Sequence, residues 1–393
     1  MSGAALSIEQ AQARMLALLA PLPVEAVPVE QAVGRYLAAP LVAARTQPPA
    51  DLSAMDGYAV AGSGPWQKLG ESRCGEPFPG TLSEGQCVRI STGAIVPHGA
   101  DRVLIQEDAE VAGDRVLALE APSPGKHIRR MGFEFAPGDA LLPPGTRIGA
   151  AQVALVRFAG HATVAVHRAP TVAILDSGDE LMPDPTGCAM HQIPASNAAM
   201  LGAMAGTLPC AVRRAPPLPD RLDAIVAALE AHADADLLVL TGGASVGDHD
   251  LARPALETVG AELDFWKVAM KPGKPLMVAR RVRQVVLGLP GNPVSAYVTG
   301  FLFMLPALRH LLGASACLPV PVHLPLAADC PAGGPRRELM RGSLGAEGVV
   351  PALQQDSSAL LTLARSHVLI DRPAHADPVK AGTPVPVYLL ENG

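Results

Sequence analysis

The chain has 393 residues, of which 49% are hydrophobic and only 3% aromatic, and its formal net charge is −6. This length and apolar content predict two to four folded domains and exclude a disordered protein. The acidic balance, the lack of a long basic run and the scarcity of aromatic residues argue against nucleic-acid binding and against binding to an anionic membrane surface.

The predicted elements begin with a helix. Ser7 suits its N-cap, Gln10 three residues later completes a capping-box pattern, and Pro21 stops the helix. From about 45 to 140, short apolar runs broken by glycine and proline predict a β-rich region. A second helix is predicted over 146–158.

Between about 171 and 305 the sequence alternates between strand and helix patterns. Strands are predicted at 171–175, 237–240 and 285–289, and helices at 196–204, at 220–232 and after Asn292, which suits an N-cap before Pro293. This alternation predicts a parallel sheet covered on both faces. After about 313, runs at 320–324 and 385–390 predict a small C-terminal β-domain. The predicted fold is thus a multidomain α/β plus β protein, with a central parallel α/β domain between β-rich parts.

The start of the chain lacks the basic and apolar segments of a secretory signal, so we expect a cytoplasmic protein. The longest apolar stretch, 294–305, is too short to span a bilayer. The six scattered cysteines form no C-x-x-C pair and predict free thiols in a reducing compartment.

Three loops should meet at one edge of the predicted sheet, namely 176–180, 241–250 and 289–293. In the second loop, Gly242, Gly243 and Gly247 allow the backbone to approach a phosphate, and Asp248 and Asp250 are oxygen ligands suited to Mg²⁺. A tight turn with a capping aspartate is the alternative. No Walker A or dinucleotide motif is present.

Other charged groups allow two interpretations each. A metal or acid–base site and a solvated acidic turn both fit the carboxylates of the first loop, Asp176, Asp179 and Glu180. An anion site and a solvated turn both fit the lysines around Pro272, which are Lys267, Lys271 and Lys274. An oxyanion site and a surface cluster both fit the late arginines Arg336, Arg337 and Arg341. The histidines are not spaced as metal ligands, and His249 in the glycine-rich loop is the one candidate for function.

The same loops resemble those of the molybdopterin molybdenumtransferase family, also called MoeA, whose animal relative is the gephyrin E domain. Seven segments carry the resemblance in order: SAMDGYAV (53–60), STGAIVPHGAD (91–101), LLPPGTRIGAAQVALVRFAG (141–160), VAILDSGDEL (172–181), LTGGASVGDHD (240–250), FWKVAMKPGKP (265–275) and GLPGNPVSA (288–296). They span nearly the whole chain, so the resemblance is specific.

The resemblance implies a homodimer of four-domain subunits with a cleft shared between them. The implied domains are a discontinuous one (1–45 and 141–167), a β-rich one (46–140), an α/β molybdopterin-binding one (168–314) and a C-terminal one (315–393). The implied activity is insertion of molybdate into adenylylated molybdopterin with Mg²⁺ and release of AMP, in molybdenum cofactor biosynthesis. The implied partners are the molybdopterin adenylyltransferase and the molybdoenzymes that accept the cofactor.

The residues that match the family's functional positions become our predicted site. The predicted catalytic residues are Asp56, Thr92, Glu180, Asp250, Lys267 and Lys271, with Glu180 and Asp250 as metal ligands. The predicted cofactor-binding residues are Gly242, Gly243, Ser245, Gly247, Lys274, Pro290, Gly291, Asn292, Pro293, Arg341 and Ser357.

The chain also departs from the family pattern at three places. A GED-like stretch reads GFEF, so Glu134 is at best a substitute; an acidic pair before the helix near 220 reads PPLP; and a D-[ST]-N-R segment reads ASNA. These departures keep open a catalytically reduced molybdopterin carrier or scaffold. The related adenylyltransferase is disfavoured, because it is generally a single domain.

Overall fold

The N-terminal helix begins where the sequence predicts. In the computed structural model, which describes residues 5–120, 122–243 and 251–390, this helix spans Ile8–Ala17. The Ser7 hydroxyl accepts from the Gln10 amide N–H at 3.2 Å, and the Ser7 N–H donates to Gln10 Oε1 at 3.0 Å. The capping box is therefore confirmed, and the helix ends before Pro21.

Two segments that are far apart in the chain pair with each other. The strand Val24–Pro28 runs antiparallel to Thr163–His167, and Leu41–Val42 pairs with Ala140–Leu142. Both segments contribute apolar side chains to one core, which contains Val29, Leu37, Leu41, Ile148, Val156, Val164 and Val166. This pairing joins the pieces that the sequence assigns to one discontinuous domain, whose boundaries remain a prediction.

The helix in the second of these segments is shorter than predicted. It spans Ala150–Phe158 instead of starting at 146. The Leu37 N–H donates to the Thr146 carbonyl at 3.0 Å, and Arg147 forms an antiparallel bridge with Tyr36. Because this backbone is extended and paired with the N-terminal segment, the helix can start only after it.

The β-rich prediction is confirmed by a six-stranded sheet. Its strands, in spatial order, are Arg102–Ile105, Gly57–Val60, Gln86–Ile90, Trp66–Ser72, Arg115–Ala118 and Ala109–Ala112. A short pair, Leu52–Ser53 with Ile128–Arg129, lies beside it, and Gln106–Asp108 forms a 3₁₀ turn. Buried apolar residues alternate between the two faces of Gly57–Val60, with Ala59 in one core and Tyr58 and Val60 in the other.

The central sheet also has six strands. In spatial order they are Ala211–Arg214, Thr171–Asp176, Leu237–Thr241, Gln284–Leu289, Met277–Arg281 and Glu262–Trp266. The first four are parallel, as predicted, whereas the last two run antiparallel to their neighbours. The tight connection between Arg281 and Gln284, with Val282 at φ 54°, reverses the chain and so forces an antiparallel pair.

Helices cover both faces of this sheet, as predicted. One face carries Asn197–Ala205, Pro293–Thr299 and Leu305–Leu311, and the other carries Leu222–Ala231 and Ala252–Thr258. Side chains from the same strand enter different cores: Ile174 belongs to the first core and Leu175 to the second. Strands buried on both faces explain the nearly continuous apolar runs in the sequence.

The helical stretch Pro293–Leu311 contains a π-helical turn at Gly300–Met304. Pro306 has no N–H, so the Leu302 carbonyl four residues earlier lacks its α-helical donor. The buried Gln12 side chain donates to this carbonyl at 2.8 Å. The stretch is long and apolar enough to cross a membrane. However, 78% of its most apolar part is buried inside the protein, which is typical of a core helix.

We therefore expect Gln12→Leu to lower the free energy of unfolding by about 1–3 kcal/mol, because it removes the side-chain donor of the buried Leu302 carbonyl. Denaturant unfolding checks this value, with Gln67→Leu on an exposed strand position as the matched control. Equal stabilities for the two variants would contradict this role for Gln12.

The C-terminal part forms a third six-stranded sheet. Its strands are Met270–Lys271, Arg337–Gly345, Val368–Arg372, Pro384–Leu389 and Val322–Pro325, with Gly348–Pro351 paired to Arg337–Gly345, and a helix spans Leu360–Ala364. Arg337 donates to Asp371 and to Glu9 of the N-terminal helix. These hydrogen bonds, with Asp371 first, raise the pKa of Arg337 despite its burial. The predicted C-terminal β-structure is confirmed, and Arg337 and Arg341 of the arginine cluster lie within the strand Arg337–Gly345.

Candidate functional site

Three loops at the carboxyl ends of the parallel strands open into one cleft of about 770 Å³. The cleft is lined by Ser177, Gly178, Glu180, Leu181, Ile193, Pro194, Ser196, Asn197, Asp220, Thr241, Gly242, Gly243, Pro275, Pro290, Gly291, Asn292, Pro293, Ser358 and Leu360. The predicted convergence of the loops at one edge of the sheet is therefore present, at the place where open α/β sheets bind ligands.

Asp176 holds two of these loops together. It is 3% exposed, and its Oδ1 accepts from the Thr241 hydroxyl at 2.7 Å. Its Oδ2 accepts from the Ala198 N–H at 2.9 Å, at the start of the helix Asn197–Ala205. Ser196, which occupies the N-cap position of that helix, makes no side-chain capping hydrogen bond. Asp176 therefore caps the helix from a neighbouring strand and supports the cleft wall.

Asn197 links the third loop to this arrangement. Its Nδ2 donates to the Gly291 carbonyl at 2.7 Å and to the Thr241 hydroxyl at 3.4 Å. The residue is 8% exposed, and its Oδ1 is buried without a hydrogen-bond partner among the described residues. Such an orphaned acceptor is uncommon in a folded protein and is one sign of a functional site.

Glycine is required where the loops touch. Gly242 has φ +85°, and a Cβ there would lie 2.1 Å from the Ser177 carbonyl oxygen. A Cβ on Gly178 would lie 2.6 Å from Glu180 Oε2, so this glycine leaves room for the Glu180 carboxylate. Glycine is therefore needed at these two contacts, and the role of the predicted glycine-rich loop towards phosphate remains a prediction.

Asp220 is a cleft residue that the sequence analysis missed. The acidic position before the helix near 220 was taken as absent, since 216–219 reads PPLP. In the structure the helix spans only Leu222–Ala231, and Asp220 precedes it and lines the cleft beside Ser177. The signal was available in the sequence: an aspartate at the predicted helix start also follows a proline turn.

The cleft is acidic in the part of the chain that the structure describes. Glu180 and Asp220 are its only charged lining residues there, and no lysine, arginine or histidine lines it. No three His, Cys, Asp or Glu side chains among the described residues are grouped as a metal site. The residues predicted further along the glycine-rich loop lie outside the described residues, namely Ser245, Gly247, Asp248, His249 and Asp250.

Asp56 and Thr92 lie together in the β-rich region, away from the cleft lining. The Thr92 N–H donates to Asp56 Oδ1 at 2.8 Å. The two residues follow different elements, with Asp56 just before Gly57–Val60 and Thr92 just after Gln86–Ile90. Sequence segments 36 residues apart thus supply one small polar site.

The predicted lysines have separate partners in the structure. The Lys271 ammonium lies 3.0 Å from Glu338 Oε1, across the pairing of Met270–Lys271 with the C-terminal sheet. Lys267 has φ 97°, and its ammonium lies 4.8 Å from the centroid of the Trp266 ring. Lys274 is exposed. None of the three lines the cleft.

Arg341 supports the cleft from behind. It is 1% exposed, and its guanidinium donates to the carbonyls of Asp356 at 2.9 Å and Gln354 at 3.2 Å. Burial lowers the pKa of Arg341. The segment that it holds reaches the cleft, where Asn292 Nδ2 donates to Ser357 Oγ at 3.0 Å. Asn292 thus occupies the predicted N-cap position but uses its side chain to bind this segment.

The fold and the cleft define a multidomain α/β protein with an open cleft at the carboxyl edge of a largely parallel sheet. Three domain-family models match the chain, one after another. They are the MoeA N-terminal region (domain I and II) over residues 6–160, the probable molybdopterin binding domain over 173–310, and the MoeA C-terminal region (domain IV) over 323–390. The chain belongs to the molybdopterin molybdenumtransferase family, and it is therefore a transferase.

Two relatives and two solved structures illustrate this similarity. The molybdopterin molybdenumtransferase of Haemophilus influenzae is 35% identical over 316 residues, 78% of each chain, and that of Nostoc sp. is 34% identical over 395 residues, 93% of this chain and 88% of the relative. A crystal structure of the molybdopterin biosynthesis moeA protein from Pyrococcus horikoshii OT3 aligns with a TM-score of 0.84 at 25% identity, covering 98% of this chain and all of that one. A second structure of the Pyrococcus protein gives 0.80 at 27% identity, covering 98% and 99%.

Proposed function

We propose that the chain inserts molybdate into adenylylated molybdopterin, using Mg²⁺ and releasing AMP, as a cytoplasmic step of molybdenum cofactor biosynthesis. The observation that carries the proposal is the cleft of about 770 Å³ at the carboxyl edge of the sheet, in the region similar to a molybdopterin binding domain. A cleft of this size accommodates a ligand as large as a pterin joined to a nucleotide.

The charge of the cleft supports a role for Mg²⁺. Molybdate and the phosphate linkage of the substrate are anionic, whereas Glu180 and Asp220 are the charged lining residues among those described. Mg²⁺ usually binds through one or two carboxylates together with substrate phosphates, so this donor set fits the ion. When bound, the ion polarises the phosphoryl group and offsets negative charge.

The chain's own residues then position the two anions. Gly242 and Gly243 let the loop backbone approach a phosphate, and Asn292 beside Ser357 shapes the opposite wall. Lys267 and Lys271 are the proposed contacts for an oxyanion. Positioning and electrostatic stabilisation of this kind are the usual sources of rate in phosphoryl chemistry.

A homodimer would complete the cleft. Asp56 and Thr92 do not line the cleft of their own chain. In a dimer, these residues of one subunit would reach a substrate bound in the cleft of the other subunit. Apolar side chains are exposed in the β-rich region that carries Asp56, including Met55, Ile95, Met131 and Phe133, and at the cleft, including Ile193 and Leu360. Exposed apolar groups beside a site are typical of an interface.

A carrier or scaffold without catalysis is the second candidate. Ala195 and Ala198 occupy the places where the resemblance implies an aspartate and an arginine. Asp176, however, accepts the Ala198 N–H, so the helix start keeps an acidic partner. Turnover of adenylylated molybdopterin by the purified protein, followed as AMP release, distinguishes the two functions, because a carrier binds the substrate without releasing AMP.

Asp250→Asn is expected to abolish the Mg²⁺-dependent part of AMP release, since it removes a predicted oxygen ligand for the ion. The measurement is AMP release against Mg²⁺ concentration, with thermal unfolding to check the fold. The matched control is Asp223→Asn, an exposed aspartate paired with Arg221. An unchanged Mg²⁺ dependence in Asp250→Asn would remove Asp250 from the site.

Lys271→Ala is expected to raise the molybdate concentration for half-maximal turnover by about ten- to a hundredfold. A charge-assisted contact to an oxyanion contributes about 1.5–3 kcal/mol, and about 1.4 kcal/mol is a factor of ten. Lys380→Ala, which removes an exposed lysine paired with Asp329, is the control. Activity within about twofold of the parent at limiting molybdate would leave Lys271 only its surface ion pair with Glu338.

A further inference from the structure

We propose that the segment 6–17, which we call the N-terminal brace, positions Lys267 and Lys271 relative to each other. The brace does not line the cleft, whereas the turn that carries the lysines reaches the cleft at Pro275. This inference rests on the proposed function for the role of the two lysines as contacts for an oxyanion. The placement that the brace gives them can be measured through the binding of molybdate alone.

Lys267 has a backbone conformation that its neighbours must hold. Its φ is 97°, a value that residues other than glycine rarely adopt. On one side, the Lys267 N–H donates to the Leu276 carbonyl at 3.0 Å. On the other side, the Lys267 carbonyl accepts from the Leu6 N–H at 3.3 Å, and the Ala269 N–H donates to the Leu6 carbonyl at 2.8 Å. The first residue of the brace therefore pairs with both neighbours of Val268 and supports the strained backbone from outside the lysine turn.

The brace also holds the strand that leads into Lys267. The Arg14 guanidinium donates to both carboxylate oxygens of Asp264 at 2.9 Å and to the Asp264 carbonyl at 3.0 Å. It lies 5.9 Å from the centroid of the Phe265 ring. Both partners belong to the strand Glu262–Trp266, which ends directly before Lys267. A planar guanidinium with several hydrogen bonds to one residue fixes the direction of the contact as well as its distance.

A third contact connects the brace to the surroundings of Lys271. The Glu9 carboxylate accepts a hydrogen bond from Arg337. Arg337 lies opposite Met270 in the parallel pairing with the C-terminal sheet, and Glu338 lies opposite Lys271. The Lys271 ammonium donates to Glu338 Oε1 at 3.0 Å. The brace thus contacts the C-terminal strand at the place where that strand holds Lys271.

These contacts explain why the brace controls the relative placement of the two lysines. Lys267 follows an edge strand of the central sheet, whereas Lys271 lies in an edge strand of the C-terminal sheet. The distance between the two ammonium groups therefore depends on how the two sheets are held together. The brace is hydrogen-bonded to both, through Arg14 to the first and through Glu9 to the second. Two cations stabilise one anion only when both can reach it with directed hydrogen bonds.

Calorimetric titration of molybdate alone into the full chain tests the assignment. Leu6→Pro removes the N–H that donates to the Lys267 carbonyl. We expect it to weaken molybdate binding by about tenfold, the loss that follows when one of two charge-assisted contacts is no longer aligned. Leu6→Val keeps the N–H and an apolar side chain, and it should bind molybdate as the parent does.

Arg14→Gln tests the second contact at an exposed position, so it probes the brace even if Leu6→Pro fails to fold. It should also weaken molybdate binding. Its matched control is Arg213→Gln, which removes a similarly exposed arginine paired with Asp234 and should leave molybdate binding unchanged.

A Lys267→Ala background distinguishes positioning from a general structural effect. If the brace acts through Lys267, then Leu6→Pro and Arg14→Gln cause no further loss of molybdate binding in this background, because residues that act through one another are not additive. A merely structural role would weaken binding equally in both backgrounds. In turnover, both brace variants should raise the molybdate concentration for half-maximal AMP release, while the rate at saturating molybdate stays within about twofold of the parent.

The proposal is overturned if the brace variants that fold bind molybdate as the parent does, if their effect is the same in both backgrounds, or if the parent binds no molybdate. A protein that shows the expected coupling in molybdate binding but never releases AMP would keep the brace and defeat the proposed function. Normal AMP release by variants whose molybdate binding and molybdate requirement are both unchanged would do the reverse.

Discussion

A heterodimer assembled from two inactive variants, Asp56→Asn and Glu180→Gln, is expected to recover about half of the parent's AMP release. In a two-fold dimer whose clefts each combine residues of both subunits, one cleft of the heterodimer receives both defects and the other receives neither. The structure motivates this arrangement, because Glu180 lines the cleft whereas Asp56 and Thr92 lie away from it on the same chain. Co-expression with two affinity tags and sequential purification gives the heterodimer for the measurement.

The matched control combines Asp56→Asn with Thr92→Ala. The Thr92 N–H donates to Asp56, so these changes affect one polar site on the same part of each chain. Both clefts of that heterodimer are then defective, and no recovery is expected. Sedimentation provides a prior check, since a stable and active 40.5 kDa monomer would contradict the shared cleft.

The sequence predicted those parts of the fold that depend on local patterns. The capping box at Ser7 involves residues three positions apart, and the strand Leu237–Thr241 is a continuous apolar run bounded by polar residues. The rule that loops gather at the carboxyl edge of a parallel sheet then placed Glu180, Gly242 and Asn292 in one cleft. For these residues, local sequence and one topological rule were sufficient.

The remaining features depend on contacts between distant residues. Gln12 supplies the donor that Pro306 removes from Leu302, and these positions are 290 residues apart. The antiparallel pairing of Met277–Arg281 with Gln284–Leu289 follows from a turn at Val282, a residue with no special preference for positive φ. Asp220 was missed because the family pattern places the acidic group earlier, while the bridge between Ser177 and Leu218 brings Asp220 to the cleft.

Arg341 was predicted as a cofactor-binding residue, but its buried surroundings could not be predicted from the sequence. An arginine near the C-terminus suggested direct binding of an anion, but its charge lies in a buried strand beneath the segment that carries Ser357. Gln355 completes the arrangement, donating through Nε2 to the Arg341 carbonyl at 2.9 Å. No local pattern distinguishes an arginine that holds a loop from one that contacts a ligand.

Arg341→Met is accordingly expected to lower the free energy of unfolding of the C-terminal part by about 3–5 kcal/mol. The carbonyls of Gln354 and Asp356 each lose a charged donor, and a hydrogen bond that involves a charged group contributes about 1.5–3 kcal/mol. Losses above about 4 kcal/mol are exceptional for one substitution, so the upper part of this range is a demanding expectation. Denaturant unfolding measures the change, with Arg365→Met at an exposed position as control.

A second substitution and protease cleavage distinguish an arginine that supports the loop from one that binds the ligand directly. If Arg341 acts by holding the segment that carries Ser357 and Ser358, then Arg341→Lys should also be less stable than the parent. An ammonium group cannot make the two hydrogen bonds that the guanidinium donates to the carbonyls of Gln354 and Asp356. Protease cleavage within 354–359 should then rise in both variants, while substrate added at saturation should restore part of the protection, because binding at the cleft favours the ordered loop. If the Arg341 variants instead keep the stability and protease resistance of the parent but require a higher substrate concentration for half-maximal turnover, the guanidinium contacts the ligand. That outcome would contradict its burial in the structure.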